Sequence, residues 1–305
     1  MNGSHEHAHG SFVHIQKRKV IMSHLESRIG FIGAGNMAEA MIGALLQSHT
    51  AAAGNLFSID IDAEKRASLQ ERYRIHSLED NFGVYRESDI LVLAIKPQFF
   101  EAAVTSITKH PLYPMNARKL IVSIAAGIRI QKMERLFYEG FGQDVRVAHP
   151  IIRVMPNTPA LVLSGISGLS PNRFAQQTDI QNARCILEAM GTVLEFPEEQ
   201  LDAVTAVSGS GPAYVFYLME AMIAGAQKIG LDHEAAVVLV RETIRGAVEL
   251  YRQSGENPEV LRKKVTSPGG TTEAAIRVLD EAGVKQSWIA AIEAAAARSR
   301  ELGSR

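Results

Sequence analysis

Apolar and polar positions are patterned in two different ways along this chain, and the change falls near residue 200. Before it, short and nearly continuous apolar runs recur at 28–32 (RIGFI), 56–60 (LFSID), 89–95 (DILVLAI) and 120–125 (LIVSIA). A run without polar alternate positions reads as a parallel strand buried on both faces. A further apolar stretch at 153–155 leads into Pro156-Asn157-Thr158-Pro159, a rigid bend. Short strands are predicted at 161–163, 166–169 and 192–196, and a helix over 179–190. Strands separated by helical stretches predict a parallel α/β sheet.

Beyond Gln200 the pattern is helical only. A short helix is expected over 201–207, ending at Ser208-Gly209-Ser210-Gly211, and Pro212 opens a long helix reaching Lys228. Its apolar residues (Tyr214, Val215, Phe216, Leu218, Met219, Met222, Ile223) cover almost the whole circumference. The stretch 234–253 repeats this, through Ala235 to Val240, Ile244, Ala247, Val248 and Leu250. A small helical domain rarely buries such helices alone, so a partner chain is expected to cover them. Helices over 258–264, after the 267–270 turn and over 287–302 complete the expected division: an extension at 1–27, disordered or tag-like, an α/β Rossmann-type domain at 28–199 and an all-α domain at 200–305.

Composition narrows the function. The 305 residues carry a net charge of −1, with 46% hydrophobic and 21% charged residues, so no basic footprint for nucleic acid is present. No apolar stretch reaches the length of a membrane span; the longest candidate, 213–226, is interrupted by Glu220. The single cysteine, Cys185, excludes an intramolecular disulfide framework and fits a reducing, cytoplasmic setting. It falls in a helical pattern with Ala183, Ile186, Leu187 and Met190 and reads as a small core residue. Half of the ten histidines (His5, His7, His9, His14, His24) lie in the first 27 residues, which lack the apolar stretch of a secretory signal.

The first strand runs directly into Gly33-Ala34-Gly35-Asn36-Met37-Ala38, a G-x-G-x-x-A sequence opening a helix that carries Met41, Ile42, Leu45 and Leu46. Gly33 permits the tight turn, Gly35 lets the backbone approach a pyrophosphate, and Ala38 lets helix pack on strand. Asp60 ends the second strand, where an acidic side chain accepts the ribose hydroxyls of NADH. Lys65 and Arg66, one helical turn on, suit the 2′-phosphate of NADPH, so NADPH or NADH is expected. Lys96-Pro97 and Ala126-Gly127 follow the next two strands, and ligands of open α/β sheets lie outside such ends.

A second site is suggested by 265–279, VTSPGGTTEAAIRVL. Ser267-Pro268-Gly269-Gly270 is a turn by composition, and Thr271 or Thr272 is expected to cap the helix that follows. Unpaired N–H groups at such a helix start, with hydroxyls beside them, suit a small carboxylate. The alternative is an ordinary helix corner with a capping threonine.

Taken together, FIGAGNMAEA, AIKPQ, SIAAGI, VMPNTPALV, AVSGSGPAYVF and VTSPGGTTEAAIRVLDE make the sequence resemble the pyrroline-5-carboxylate reductases over about residues 29–281. The last motif is the specific one; the first is common to many dinucleotide enzymes. The resemblance implies an N-terminal Rossmann domain and an all-helical dimerisation domain, with dimers that often assemble into rings. It implies reduction of 1-pyrroline-5-carboxylate to L-proline by NADPH or NADH. Carried over by position, it places cofactor contacts at Ile32, Gly33, Ala34, Gly35, Asn36 and Met37, at Asn81, at Ala94, Ile95, Lys96 and Pro97, and at Ala125, Ala126 and Gly127. Substrate contacts fall at Val265, Ser267, Gly269, Gly270, Thr271 and Thr272. The acidic Asp60-Ile61-Asp62 departs from what a strict NADPH user would carry.

A cyclic iminium accepts hydride without a metal or a nucleophile; the protein must position it and exclude water. The loop amides are therefore expected to hold the substrate carboxylate, with the Thr272 hydroxyl at the ring nitrogen as hydrogen-bond donor or proton relay. His149 and His233 are read as structural. Two other readings are weighed. A β-hydroxyacid dehydrogenase would need a helical lysine, and Lys228 stands at the far end of the long helix. A redox-sensing nucleotide binder would leave SPGGTT unexplained.

Overall fold

The computed structural model describes residues 24–115 and 117–303. Eight strands form one sheet in the order β3-β2-β1-β4-β5-β6-β7-β8. They are β1 (Ile29–Ile32), β2 (Leu56–Ile59), β3 (His76–Ser77), β4 (Ile90–Leu93), β5 (Leu120–Ser123), β6 (Ile151–Met155), β7 (Gly165–Pro171) and β8 (Gly191–Glu195). All neighbours pair in parallel except β6 and β7. The first six follow the doubly wound dinucleotide-binding order, whose strand direction of travel reverses between β1 and β4. There Ile32 lies opposite Leu93 on one side and Ile59 on the other.

Among the described residues, seven helices surround the sheet: α1 (Asn36–Gln47), α2 (Ala63–Tyr73), α3 (Asn81–Glu87), α4 (Pro97–Thr108), α5 (Ile130–Tyr138), α6 (Gln143–Ala148) and α7 (Gln177–Glu188). On one face Met41, Ile42 and Leu45 of α1 and Ala183, Ile186 and Leu187 of α7 pack with Ile29, Phe31 and Val92. On the other, Val84, Tyr85, Phe100, Val104, Met133 and Phe137 cover Leu91, Leu93 and Ile121. β1, β4 and β5 are buried at every residue, the expected consequence of apolar runs sandwiched between two helix layers. Leu25 is also buried, and its N–H donates to Thr50 O at 2.7 Å. The fold thus begins earlier than an extension ending at residue 27, because one apolar side chain fills the end of the α1 layer. Residues 1–23 of that expected extension lie outside the described residues.

Two local expectations are corrected. Residues 161–163 are no strand: a 3-10 turn, Thr158–Val162, follows Asn157, and Leu163 takes a left-handed conformation. Prolines at 156 and 159 keep the chain turning where three apolar residues alone suggested extension. The helix expected over 201–207 is α8 (Leu201–Val204) followed by a π-helical turn, Thr205–Gly209.

The remaining helices are α9 (Gly211–Lys228), α10 (His233–Ser254), α11 (Pro258–Lys264), α12 (Thr271–Glu281) and α13 (Val284–Gly303). α9 packs on α10, while α13 packs on α12, α8 and the π-turn. None of α9, α11 and α12 has a buried residue within the single chain. Phe216 is 59% and Tyr217 69% exposed, so much of the apolar circumference of α9 is uncovered.

Candidate functional site

At the C-terminal ends of β1, β2, β4 and β5 the chain builds a cradle from loop backbone. Gly33 has φ +100°, and a Cβ there would fall 2.5 Å from Ala94 O, so only glycine fits. Its N–H donates to Ile59 O at 2.8 Å, and Ala94 N donates to Ile32 O at 2.8 Å, locking the loop between β2 and β4. Gly35 is the residue before α1, in extended conformation, and no side chain caps the helix. The space over Gly35 is open: a Cβ there would meet nothing within 4 Å. The first-turn amides of Asn36 and Met37 have no helical acceptor, so this helix start and the open volume fit a pyrophosphate. Ala38 is fully buried against the sheet, where a larger residue would push α1 away.

Asp60 behaves differently from a free ribose acceptor. Its Oδ2 accepts from Ala34 N at 2.6 Å and its Oδ1 from Asp62 N at 2.9 Å. Arg66 Nη1 donates to Asp60 O at 2.5 Å. Lys96 precedes α4 with Pro97 as its first residue, again without a side-chain cap. Ala125 is buried, Ala126 exposed, and Gly127 turns with φ +76° beneath the end of α13, near Leu302. Asn81 opens α3, but its amide donates to Ser106 Oγ on α4 at 2.9 Å, so that donor is engaged.

The loop after β5 is held from the helical part of the chain by two acids that no sequence motif marks. Glu198 Oε1 accepts from Ile130 N at 2.7 Å and from Arg153 Nη1 at 3.0 Å. Buried Asp202 accepts from Ser299 Oγ at 2.6 Å and from Arg129 Nη2 at 3.5 Å. No spacing rule announces such contacts, since the partners are distant in sequence. Asn157 is a further joint: its Oδ1 accepts from Ile166 N at 2.9 Å and its Nδ2 donates to Ser208 O at 3.4 Å.

The second cluster lies between α11 and α12. Val265 ends α11, and Ser267 O accepts from Gly270 N at 3.0 Å to close the turn. Gly269, at φ +72°, donates its N–H to Glu273 Oε2 at 2.7 Å. The expected threonine cap is absent, because the extended residue before α12 is Gly270 and Thr271 is already helical. The two hydroxyls are therefore not used as caps, and the first-turn amides of Thr271, Thr272 and Glu273 have no helical acceptor. A carboxylate of the chain itself shows which way the loop amide points. The residues expected to hold the cofactor thus gather at the C-terminal ends of neighbouring strands, and those expected to hold the substrate lie in one loop. Two cavities, of about 790 Å³ beside α5 and β8 and about 550 Å³ beside α1, include none of 265–272.

Strongly perturbed groups sit at the opposite edge of the sheet. His149 Nε2 lies 2.7 Å from Tyr85 Oη, its Nδ1 lies 2.9 Å from Val145 O, and burial lowers its pKa below 6.5. This assigns Nδ1 as the donor to the carbonyl and Nε2 as acceptor of the Tyr85 hydroxyl. Burial pushes Tyr85 up to about 12. No group of three or more His, Cys, Asp or Glu able to hold a metal occurs among the described residues. Nor does any of the described helices have the length and apolarity to cross a membrane.

Comparison with known proteins places these features in one group. A family profile described as pyrroline-5-carboxylate reductase dimerisation matches residues 198–302, and one described as NADP oxidoreductase, coenzyme F420-dependent, matches 28–127. Pyrroline-5-carboxylate reductase 2 of Bacillus subtilis is 40% identical over 276 residues, covering 90% of this chain and 95% of that protein. The Pseudomonas aeruginosa reductase is 41% identical, covering 90% and 96%. Among solved structures, the Coxiella burnetii reductase superposes with a TM-score of 0.81 at 32% identity, over 90% of this chain and 98% of that one. The Plasmodium falciparum reductase, with NADP bound, gives 0.79 at 29% identity, over 92% and 100%. An α/β domain of doubly wound order, a helical part matched as a dimerisation unit and relatedness along nine-tenths of the length make this chain a member of the pyrroline-5-carboxylate reductase family.

Proposed function

We propose that this chain reduces 1-pyrroline-5-carboxylate to L-proline at a site made from the Gly33–Ala38 cradle of one copy and the 265–272 loop of a second. The observation that carries the reading is the Glu273 carboxylate on Gly269 N, beside the uncapped start of α12. An amide already directed at a carboxylate, next to free first-turn amides, suits the acid group of a small heterocycle. Family membership supplies the identity of that heterocycle.

Gly33, Ala34, Gly35, Asn36 and Met37 hold the pyrophosphate, while Ile32, Ala94, Ile95, Lys96, Pro97, Ala125, Ala126 and Gly127 border the nucleotide, with Asp60 at its ribose and Asn81 at its margin. Bound NADPH or NADH supplies the hydride that reduces the protonated C=N bond. Val265 gives the ring an apolar contact, Ser267, Gly269 and Thr271 hold its carboxylate with Gly270 closing the turn against it, and the Thr272 hydroxyl keeps a hydrogen bond at the ring nitrogen. Positioning of this kind contributes on the order of 7–11 kcal/mol in favourable cases, which makes a metal or a catalytic dyad unnecessary.

A second copy follows from the bare apolar surface of α9 and α12 and from the match to a dimerisation unit. In this reading residues 28–199 bind the nucleotide, 200–305 dimerise and contribute the loop, rings of dimers form, and the enzyme works in the cytoplasm. The test is turnover of pyrroline-5-carboxylate followed by the loss of reduced-nicotinamide absorbance, with NADH and NADPH in parallel. Absence of turnover with both, in a protein that binds the nucleotide, would sink the proposal.

A further inference from the structure

We infer that Asp60 makes this chain select NADH over NADPH. The inference rests on the reductase reading above and concerns the far end of the same nucleotide site. Asp60 directly follows β2, which pairs with β1 so that Ile59 lies opposite Ile32. The carboxylate therefore stands beside the glycine-rich loop and is pinned there, Oδ2 on Ala34 N at 2.6 Å and Oδ1 on Asp62 N at 2.9 Å. Both oxygens are fixed by backbone, so the group cannot rotate out of the way of a ligand. Each still has a lone pair for a ribose hydroxyl.

The cations nearby each have a partner in the chain itself. Arg66 Nη1 is held on Asp60 O at 2.5 Å, and Lys65 Nζ lies 3.8 Å from Asp62 Oδ2. Asp62 also caps α2 by accepting from Glu64 N and Lys65 N at 3.0 and 3.3 Å. Two acids, Asp60 and Asp62, thus stand at the position, and each of the two bases at the start of α2 has a partner in the segment before it. A ribose diol brings two donors to a fixed carboxylate. A 2′-phosphate brings a charge of about −1.5 to −2 and no strong donor at neutral pH. The Plasmodium falciparum relative is known with NADP bound; the departure proposed here rests on the Asp60-Ile61-Asp62 segment of this chain.

The test uses equilibrium binding, without substrate. Titration calorimetry of the intact protein with ADP-ribose and with its 2′-phosphorylated counterpart should show the first binding at least ~10-fold more tightly, and the gap should narrow as salt is raised. Asp60→Asn, which keeps one amide acceptor, should narrow the gap by improving affinity for the phosphorylated ligand. Equal or tighter binding of the phosphorylated ligand to the wild-type protein overturns the inference. So does an unchanged ratio in Asp60→Asn of wild-type Tm. Failure of both ligands to bind overturns it together with the reductase reading. Turnover of pyrroline-5-carboxylate without nucleotide preference overturns this inference alone.

Discussion

Asp202 and Ser299, 97 positions apart, are joined by a buried hydrogen bond of 2.6 Å from Ser299 Oγ to the Asp202 carboxylate. The bond fastens the end of α13 to α8, and through the 3.5 Å contact of Asp202 with Arg129 it reaches the loop that follows Gly127. Removing the hydroxyl leaves one carboxylate oxygen buried without its donor, which costs about 1–3 kcal/mol. Ser299→Ala is expected to lower Tm measurably at fixed protein concentration and to raise KM for the nucleotide more than it lowers kcat. Ser299→Thr, retaining the donor, should restore both.

Because Gly270 ends the loop and no threonine caps α12, removing the Thr272 hydroxyl should not touch the helix start. Thr272→Val is expected to change stability by less than about 0.5 kcal/mol, the usual range for a surface position. If the hydroxyl meets the ring nitrogen, kcat/KM should fall on the order of 100-fold. A variant with wild-type kcat/KM removes Thr272 from the mechanism.

Glu273 places its carboxylate on Gly269 N, an amide assigned to the substrate. It competes with the substrate for Gly269 N and adds a like charge beside the bound acid. Glu273→Gln keeps an acceptor for the loop and removes the charge. Its expected effect is a lower KM for pyrroline-5-carboxylate, by roughly 3- to 10-fold for an exposed charge, with kcat little changed. Steady-state kinetics at two ionic strengths check this, since the difference should shrink at high salt.

How far the sequence carried can be judged from these same residues. β1, β4 and β5 were legible because two helix layers demand an unbroken apolar run, and Gly33 because its φ and its closeness to Ala94 admit no side chain. β3 escaped notice: His76–Ser77 is two residues long and has no pattern to read. The short apolar run 161–163 fits strand and 3-10 turn equally until the flanking prolines are weighed. Composition alone made Thr271 or Thr272 the cap; the extended conformation of Gly270 decided otherwise. Glu198 and Asp202 position the loop after β5 through contacts spanning 68 and 73 residues, and no local signal encodes contacts of that range.

His149 gives a pH dependence distinct from catalysis. Its ring is buried and neutral, accepting from Tyr85, and its pKa in the folded state is depressed below the 6.5 of an exposed histidine. The unfolded chain therefore binds a proton that the folded chain refuses. Its contribution is fully present above about pH 6.5 and is lost as pH falls toward the folded pKa. The urea midpoint should drop between about pH 7.5 and 5.5, and His149→Gln should flatten that part of the profile. An equally steep profile in the variant would assign the effect to other groups.

The uncovered surface of α9 is where the shared-site reading is most exposed to test. Phe216 and Tyr217 present large apolar faces that the single chain leaves in water, while no cradle residue lies on that helix. Placing a charge there opposes any apolar interface without altering the nucleotide loop. Phe216→Glu is expected to yield monomers by light scattering that retain the ADP-ribose affinity of the parent and lose pyrroline-5-carboxylate turnover. Retained turnover in a monomer would mean that one copy supplies both halves of the site, since in that state no second chain can bring the 265–272 loop to the cradle.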